Sequence, residues 1–370
     1  MKKIAELWEP YGDPDEKTVK CNVCAHYCLI KPNKRGFCQT RINLDGTLYT
    51  LDYGALISPG SNDPIEKKPL YHFWPGTRAF SIATIGCNFR CMQCQNWEIS
   101  QSYPSEDGKK ALFTQKDQRD FGVRSFLLTE MTPEEVISRV QKSNSTSIAY
   151  TYNEPTIWFE FVRDTSLLAH QAGIQNVLVS NGYSSPEANS YFVKFIDAAN
   201  IDIKSINDSF YKKIVGVPSV KSVLDTCIYF KNHGVHLEIT NLIIPNENDS
   251  LADIRNLISW VLENLGPNVP LHFSAYTPRY RMNNPSTSSK ILDFAWTEAK
   301  KVGLNYVYLG NVLSDKGSNT YCPNCGELII ERRGYYTKAP GLSSQNTCKK
   351  CGEKISIVGE FAKSPHHSFF

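Results

Sequence analysis

Apolar runs of strand length alternate with amphipathic helical stretches from residue 79 to about residue 311. The strand-like runs lie at 79–86, 147–153, 176–181, 200–205, 235–244 and 270–276, and a seventh short run lies at 305–309. Helical patterns lie at 156–172, 186–198, 219–233, 250–265 and 287–302, and a capping-box pattern from Thr132 to Glu135 opens one more helix. Repeated strand-then-helix units build a parallel sheet with right-handed crossovers. Six units are too few for an eight-unit barrel, so the pattern predicts an α/β fold with a partial (β/α)6 barrel.

The two ends of the chain lack this alternation. Residues 1–78 hold a group of cysteines, and the part from 51 to 78 contains turn signals and is expected to be irregular. A second cysteine-rich stretch, 321–356, is expected to form a separate knuckle after the last strand. The sequence therefore predicts three domains: an N-terminal cysteine segment at 1–78, the barrel at 79–311, and a C-terminal knuckle with a tail at 312–370.

Charged side chains fall on the inward face of the predicted fourth strand. Because side chains alternate across a strand, Asp202 and Lys204 share one face while Ile201 and Ile203 share the other. Burying charges is costly unless they are paired. Two interpretations remain open: a mutual ion pair that holds strands together, or a zwitterionic ligand inside the barrel.

Further polar side chains gather at the carboxyl ends of the other predicted strands, where barrel enzymes place their sites. By alternation the inward positions are Tyr152, Glu154, Glu238, Thr240, apolar Leu242, His272, Ser274 and Tyr276, and Ser180 lies at the end of its strand.

Composition narrows the functional classes. The chain has 370 residues and a formal charge of +3, which gives no indication of a nucleic-acid partner or an anionic membrane. No apolar run is long enough to span a bilayer, and the first residues lack the apolar core of a signal peptide, so a cytoplasmic location is expected. In that compartment, twelve cysteines indicate metal ligands rather than disulfides.

The most informative cysteines are Cys87, Cys91 and Cys94, spaced x3 and x2 with no fourth cysteine nearby. A structural zinc site takes four protein ligands. A cubane iron–sulfur cluster has four irons to ligate, so three thiolates leave one iron open to a small molecule. The alternative is a three-cysteine fragment of a zinc site completed from elsewhere in the chain.

Two further groups of four cysteines flank the triplet. The C-terminal pairs have the spacing of a zinc ribbon, with a redox dithiol as the alternative, and the ribbon is expected to be structural rather than a nucleic-acid contact. The N-terminal group can hold zinc or a second iron–sulfur cluster, and the short, core-poor segment favours zinc as a staple. The ribbon group is Cys322, Cys325, Cys348 and Cys351, and the N-terminal group is Cys21, Cys24, Cys28 and Cys38.

The triplet and the strand ends together resemble radical S-adenosylmethionine (SAM) enzymes close to pyruvate formate-lyase activating enzyme. Within that group the sequence is most similar to the AmmeMemoRadiSam-system radical SAM enzymes. The segments that carry the resemblance are Cys-Gln-Asn-Trp at 94–97, Ala-Tyr-Thr-Tyr-Asn-Glu-Pro-Thr at 149–156, Ser-Asn-Gly-Tyr at 180–183, Ile-Asp-Ile-Lys at 201–204, Thr-Asn-Leu-Ile-Ile-Pro at 240–245, Leu-His-Phe-Ser-Ala-Tyr at 271–276 and Tyr-Val-Tyr-Leu-Gly-Asn at 306–311.

The resemblance implies a role for each site residue. The three cysteines of the triplet bind a [4Fe–4S] cluster, Glu154 holds the SAM amino group, and Lys204 holds its carboxylate. Ser180 and Asp202 bind SAM or a nearby monovalent cation, and Thr240 and Leu242 contact the ribose and adenine.

Two departures from the family pattern stand out. Tyr152 and Asn153 replace two glycines, which changes the backbone approach to SAM. Gln93 stands where many members stack an aromatic ring on adenine, and Trp97 or Tyr276 is the replacement that the sequence offers.

The implied function is that of a radical SAM oxidoreductase. A reduced cluster cleaves SAM to methionine and a 5′-deoxyadenosyl radical, which abstracts hydrogen from a substrate, and a flavodoxin- or ferredoxin-type protein supplies the electron. The first hypothesis is action on a partner protein, in the manner of a glycyl-radical activase. The second is modification of a small molecule or RNA, and the third is a non-enzymatic protein that binds several zinc ions.

Overall fold

An eight-stranded sheet organises the computed structural model, which describes residues 2–362. Strands β2 to β8 are parallel, each pairs with the next along the chain, and β1 pairs antiparallel with β2. The two edges of this sheet are β1 and β8, which confirms the predicted α/β fold with an open, partial barrel. The strands are β1 Ser61–Pro64, β2 Arg78–Ile82, β3 Ser147–Tyr150, β4 Gln175–Ser180, β5 Ala198–Asp202, β6 His236–Ile243, β7 Leu271–Ala275 and β8 Val307–Gly310.

Each of the six crossovers from β2 to β8 contains one helix that is labelled here, α1 to α6. These helices are α1 Pro133–Lys142, α2 Phe159–Gln171, α3 Pro186–Phe192, α4 Lys221–Asn232, α5 Leu251–Leu265 and α6 Ser289–Lys301. The predicted capping box is confirmed at α1, where Glu135 N donates to Thr132 Oγ1 at 3.3 Å and Thr132 N donates to Glu135 Oε2 at 2.8 Å. On α5 the buried positions recur every three or four residues, so this helix turns one apolar face to the core.

Further helical and strand elements lie outside this set of strands and helices. The α-helical and π-helical ones are Trp97–Ser100, Gln115–Phe121, Asp208–Phe210, Asp315–Ser318 and the π-helix Tyr211–Val215, and the 3-10 turns are Pro14–Glu16, Ile65–Lys67 and Pro155–Trp158. Between β2 and α1 the chain adds the strands Tyr103–Pro104, Lys110–Leu112, Phe126–Leu127 and Thr129–Glu130, the last of which pairs with Ala55–Leu56.

The expectation of an irregular chain from 51 to 78 is wrong, because β1 extends the main sheet within it. Its sequence, Ser-Asn-Asp-Pro, contains no apolar residue to reveal a strand. Pairing with β2 forms it instead, and Pro64 is tolerated because the strand lies at the sheet edge. Asp63 anchors it through bonds from Lys67 at 2.8 Å and Tyr152 Oη at 2.6 Å.

The N-terminal segment packs on α2 through a buried ion pair. Its strands form two three-stranded antiparallel sheets. The first has the spatial order Lys3–Ile4, Thr47–Thr50, Arg41–Leu44, and the second has the order Trp8–Pro10, Val19–Cys21, Leu29–Ile30. Arg41 Nη2 lies 2.7 Å from Glu160 Oε2, and both side chains are fully buried. Breaking one partner of such a pair costs roughly 3–5 kcal/mol, so this contact fixes the segment to the barrel.

The C-terminal knuckle is not separate from the barrel. Its strands are Thr320–Tyr321, Leu328–Arg333 and Tyr336–Lys338. Ile329 and Ile330 share one apolar cluster with Tyr308 of β8 and with Tyr306, which directly precedes that strand. Residues 363–370 of the predicted C-terminal domain lie outside the described residues. Within 2–362, no helix has the length and apolarity needed to cross a membrane.

Candidate functional site

The cysteine triplet lies on the loop that follows β2, at the carboxyl end of the parallel sheet. Cys87 and Cys91 are buried and Cys94 is half-buried. This is the end of the sheet where the predicted site residues of the other strands also lie. The structure therefore gathers the triplet and the polar strand ends at one edge, as the sequence predicts.

A π-helix holds the cysteine loop from the other side. Arg90 N donates to Val215 O at 2.8 Å, and Met92 N donates to Ile214 O at 3.0 Å. These acceptors belong to the π-helix Tyr211–Val215, and π-helical turns are frequent at functional sites. Backbone bonds thus define the loop between the first and third cysteines.

Polar groups contact two of the three sulfur atoms, those of Cys87 and Cys94. Phe89 N donates to Cys87 Sγ at 3.3 Å, and the Asn181 side chain reaches the same sulfur at 3.8 Å. Cys94 Sγ lies 3.0 Å from Ser100 Oγ. Hydrogen bonds to ligating sulfurs are a feature of iron–sulfur sites, where they tune the reduction potential.

The charge environment fits metal-bound thiolates. Burial raises the pKa of all three thiols, that of Cys91 to about 12, and the Lys204 ammonium opposes this shift at Cys91 and Cys94. A thiol held in this way is protonated when free, but the nearby cation and donors stabilise the thiolate that a metal would bind. The triplet fits a [4Fe–4S] cluster that leaves one iron without a protein ligand.

The C-terminal cysteines have a different geometry. The Sγ atoms of Cys322 and Cys351 are 3.6 Å apart, and those of Cys325 and Cys348 are 3.7 Å apart. All four sulfurs lie within 4.8 Å of one another. A tetrahedron with Zn–S bonds of about 2.3 Å has sulfurs about 3.8 Å apart, so this group fits one metal ion. Zinc as that ion remains a prediction.

Neither of the other two groups converges in this way. In the part of the chain that the structure describes, the ribbon is the one group of three or more metal-ligating side chains that surrounds a single point. Cys87, Cys91 and Cys94 are more spread, as a four-iron cluster requires. Among the described residues, the four N-terminal cysteines do not converge within 4.8 Å either, and the metal that they bind stays a prediction.

Glu154 links the ends of β3 and β4 beside Cys87. Its Oε1 accepts bonds from Thr156 N at 2.9 Å and Ser180 Oγ at 2.8 Å, and its Oε2 accepts from Asn181 N at 2.8 Å. Burial raises the pKa of this carboxyl, and the donors oppose the shift. Protein groups thus already engage both oxygens, and the predicted bond to a SAM amino group would add to them.

Asp202 and Lys204 form the mutual ion pair that the sequence left open, with Nζ 3.1 Å from Oδ2. Ile201 and Ile203 are fully buried on the opposite face, as alternation predicts. Burial opposes the charge on Lys204, but Asp202 and the Cys91 thiol outweigh it and raise the lysine pKa. The Asp202 side chain is 40% exposed, so its carboxylate would stay solvated without Lys204. SAM binding by Lys204 remains a prediction.

The remaining predicted contacts lie in varied surroundings. Thr240 Oγ1 donates to Asn200 Oδ1 at 2.9 Å, and Leu242 is half-buried. Tyr276 is buried and donates to Met282 O at 3.1 Å. Thr240 and Tyr276 are buried, so these two side chains offer little free surface for an adenine ring.

Trp97 and Gln93 differ in what they offer a ligand. One face of Trp97 stacks on Tyr280, with ring centroids 4.9 Å apart and planes 10° apart. Gln93 lies in the cysteine loop, and its buried Oε1 has no hydrogen-bond partner among the described residues. Because an unsatisfied buried acceptor is costly, Gln93 is the position in this loop most suited to receive a donor from a ligand.

His272 does not join this site. Its Nε2 lies 2.7 Å from Glu238 Oε2, and Glu238 Oε1 accepts a bond from His72 N at 2.7 Å. Burial alone would raise the pKa of Glu238, but bonds to His236 and His272 hold it well below the usual range. These inward residues form a buried structural network near the start of β6.

The sequence missed two asparagines that hold the cysteine loop. Asn181 Nδ2 donates to Asn88 Oδ1 at 2.8 Å, and Asn88 Nδ2 donates to Tyr183 O at 3.2 Å. The signal was available in the Ser-Asn-Gly-Tyr segment after β4, because a polar residue at a strand end beside a glycine marks a site loop.

An open groove of about 1010 Å³ runs beside the cysteine loop. Arg90, Met92 and Gln101 line its inner side, and the Tyr280–Arg281 turn lines the other. Arg281 pairs with Asp117 of the insertion between β2 and α1, Nη2 to Oδ1 at 2.7 Å. The groove leads from the protein surface to the loop that carries the triplet.

Comparison with known proteins places this geometry in context. Residues 81–260 match the Radical SAM superfamily. An uncharacterized protein of Methanocaldococcus jannaschii, MJ0808, is 43% identical over 350 residues, which cover 94% of this chain and 98% of that protein. A second uncharacterized protein of that organism, MJ0674, is 24% identical over 301 residues, or 78% of this chain and 76% of the other.

Solved structures similar to this one include a domain of pyruvate-formate lyase-activating enzyme from Bacteroides vulgatus, with TM-score 0.40 and 17% identity, covering 45% of this chain and 100% of that one. SuiB of Streptococcus suis bound to S-adenosylmethionine has TM-score 0.47 and 12% identity, covering 67% of this chain and 53% of that one. The superfamily match spans β2 through most of α5, including the triplet and the strand ends that carry Glu154, Asp202 and Lys204. Residues 81–260 of this chain form a domain of the radical SAM superfamily.

Proposed function

We propose that this protein cleaves SAM reductively at a [4Fe–4S] cluster held by Cys87, Cys91 and Cys94, and uses the resulting radical on a partner protein. Family membership supports the SAM chemistry. The observation that carries the assignment to these residues is a loop with three buried or half-buried sulfurs beside one lysine, in which Cys87 and Cys94 have polar hydrogen-bond partners.

When bound, the cluster supplies one electron that splits SAM into methionine and a 5′-deoxyadenosyl radical. The radical then takes one hydrogen atom from the substrate, leaving 5′-deoxyadenosine and a substrate radical. The electron comes from a flavodoxin- or ferredoxin-type donor.

The chain's own residues position SAM. Lys204 presents an ammonium to the carboxylate of SAM, and Asp202, which is 40% exposed, is free to turn toward the solvent or a cation when Lys204 changes partner. Glu154 and Ser180 fix the neighbouring strand ends through their 2.8 Å bond. Burial of the loop keeps water from the reacting centre.

The groove supports a partner protein as substrate. It is open to the surface and about 1010 Å³ in volume, so an extended segment of another chain can reach the cysteine loop along it. A small molecule is more often enclosed by its site. We therefore favour a protein segment over a small molecule or RNA.

The test uses anaerobically reconstituted full-length protein, dithionite and SAM, with methionine and 5′-deoxyadenosine measured by mass spectrometry. The wild type is expected to form both products. Cys91→Ala should form neither, while Cys227→Ala, which removes a buried thiol in α4 far from the triplet in sequence, should behave as the wild type. Absence of both products from wild-type protein with an intact cluster would refute SAM cleavage.

The partner is tested separately. Proteins encoded beside this gene are added to the SAM reaction in heavy water, and the candidate partner is examined by EPR for a protein radical. A radical that forms only with active enzyme supports a protein substrate. Formation of a modified small molecule or RNA instead would redirect the proposal to the second class.

A further inference from the structure

The four N-terminal cysteines form a compact, buried group of their own. Cys21, Cys24 and Cys38 are buried and Cys28 is half-buried. Cys21 N donates to Cys28 O at 3.0 Å, which closes the chain between them into a loop. Cys21, Cys24 and Cys38 belong to one buried cluster against which Cys28 packs, and the N–H of Phe37, the residue before Cys38, reaches Cys28 Sγ at 3.4 Å.

Two of these sulfurs, those of Cys28 and Cys38, accept hydrogen bonds from nearby donors. Phe37 N donates to Cys28 Sγ at 3.4 Å, and Thr40 Oγ1 donates to Cys38 Sγ at 3.4 Å. Buried sulfurs supplied with N–H and O–H donors form the surroundings of a thiolate-ligated iron–sulfur cluster.

The spread of the four sulfurs argues against a single ion. The ribbon sulfurs converge within 4.8 Å, whereas no three ligand atoms of the N-terminal group do so among the described residues. The triplet shares this wider spread. Because a cubane distributes its thiolates over four irons, the N-terminal group matches the triplet rather than the ribbon. Four thiolates also leave no iron open, so this centre would carry electrons rather than bind SAM.

The group rests directly on the loop that carries Cys87. Gly86 has φ +82°, and a Cβ built there would lie 2.9 Å from the carbonyl oxygen of Cys38. His26 Nε2 lies 2.7 Å from Asn88 O. The two cysteine sites thus contact each other through the residues on either side of Cys87.

The same group contacts the loop after β4. Ala25 N donates to Tyr183 O at 3.3 Å, and Ser185 N donates to Val23 O at 3.4 Å. The His26 ring stacks on Phe37, with ring centroids 4.1 Å apart. A short, packed path therefore joins the N-terminal sulfurs to the triplet, and half-buried Cys28 lies on the side nearer the solvent.

We propose that Cys21, Cys24, Cys28 and Cys38 bind a second iron–sulfur cluster that passes electrons to the cluster at the triplet. One electron enters from the external flavodoxin- or ferredoxin-type donor and reduces the N-terminal cluster. That cluster gives the electron to the triplet's cluster and returns to its oxidised state. The electron-transfer role rests on the proposed function, but the presence of the cluster does not.

Metal content of two full-length variants tests this. Wild type, a triplet variant with Cys87, Cys91 and Cys94 replaced by Ala, and an N-terminal variant with Cys24→Ser and Cys28→Ser are reconstituted anaerobically with iron and sulfide. The triplet variant should keep roughly four irons and four sulfides, about half of the wild-type content, and show an EPR signal after reduction. The N-terminal variant should lose the other half and keep a signal that SAM alters.

The outcomes separate the two proposals. A triplet variant that contains zinc at the N-terminal group and no iron would overturn the second cluster. So would a wild-type protein that contains only one cluster. If the N-terminal variant does not fold, the triplet variant still decides the matter, because it leaves the N-terminal cysteines intact. Two clusters in a wild type that cannot cleave SAM would refute the proposed function and leave this inference standing.

Discussion

The cysteine triplet and the C-terminal ribbon use the same side chain for opposite purposes. The ribbon's four sulfurs converge, with pairs 3.6 and 3.7 Å apart, and Cys351 is exposed. The triplet is spread along a loop, is largely buried and lacks a fourth cysteine partner. A converged tetrahedron satisfies one metal ion completely, whereas three spread thiolates leave a coordination position for a ligand.

The ribbon and the triplet also differ in which parts of the chain support them. The ribbon is stabilised by its own short strands and by the apolar cluster with Tyr306 and Tyr308. The triplet is held by groups from other parts of the barrel, such as Asn181 and the π-helix Tyr211–Val215. This difference supports the proposal that the triplet takes part in chemistry and that the ribbon stabilises the fold.

The largest expected effect is loss of all SAM cleavage when Cys87, Cys91 and Cys94 are replaced by Ala. Without thiolates no iron is held at the carboxyl end of β2, so no 5′-deoxyadenosine should form. The ribbon should keep its metal, which elemental analysis checks. SAM cleavage at wild-type rate in this variant would remove the difference between the two sites.

The ribbon's contact with the barrel predicts the next largest effect. Arg332 is buried, donates to Tyr71 O at 2.8 Å and lies 3.7 Å from buried Glu66. Arg332→Met leaves that carboxylate uncompensated and should lower the free energy of unfolding by roughly 3–5 kcal/mol.

The matched control is the neighbouring Arg333→Met, whose side chain is 81% exposed and should change stability by less than about 0.5 kcal/mol. Both are measured by denaturant unfolding. Equal stability of the two variants would show that the ribbon does not support the barrel.

Lys204→Met tests whether the ion pair beside the triplet serves SAM binding or stability. Loss of a charge-assisted bond to the SAM carboxylate should weaken SAM binding by roughly 1.5–3 kcal/mol, measured by calorimetry on reconstituted protein. Stability should change less, because Asp202 is 40% exposed and stays hydrated.

Lys221→Met is the control, since its 77% exposed side chain pairs only with Asp225 on the same helix. A Lys204→Met protein that binds SAM normally and unfolds early would show that the ion pair is structural.

Cys325→Ser with Cys351→Ser should have a smaller effect on function. One metal equivalent should be lost, because the tetrahedron needs all four sulfurs. The rate of SAM cleavage per folded molecule should stay within about twofold of wild type, because the ribbon is proposed to be structural. A twofold change corresponds to an activation free energy well under the roughly 1.4 kcal/mol of a tenfold change. A loss comparable to that of the triplet variant would give the ribbon a part in the chemistry.

The smallest expected effect is a pH dependence that the two sites do not share. The N–H of Glu353 lowers the pKa of the Cys351 thiol to about 7, so a large part of it is thiolate at neutral pH. Protons compete with metal for thiolates, so a chelator should remove the ribbon metal faster as the pH falls from about 8 to about 5. Iron at the buried triplet should leave more slowly. Equal rates for both metals would contradict the difference in exposure.

Much of this architecture follows from the sequence because β2 to β8 and the longer helices carry clear apolar periods. The strand β1 was missed because Ser-Asn-Asp-Pro has no apolar residue, and pairing with β2 alone makes it a strand. The π-helix Tyr211–Val215 was missed because one extra residue in a turn leaves no trace in a hydrophobic pattern.

The site was predictable where spacing encodes it and not where tertiary contacts decide it. The x3 and x2 spacing located the triplet, and alternation placed Asp202 with Lys204. Neither could show that Glu154 already accepts three protein bonds, because its partners Ser180 and Asn181 arrive from the next strand. Spacing assigned the C-terminal group to a ribbon, but it left the N-terminal group open between zinc and an iron–sulfur cluster.

The central claim is that SAM binds at the cluster held by the triplet and nowhere else. EPR of dithionite-reduced protein with and without SAM tests it most directly, using wild type, Cys91→Ala and the double ribbon variant Cys325→Ser with Cys351→Ser. We expect SAM to shift the g values of the cluster signal in the wild type and in the ribbon variant, and to leave the spectrum of Cys91→Ala unchanged. A wild-type cluster signal that SAM does not alter, or a shift that persists in Cys91→Ala, would contradict the claim.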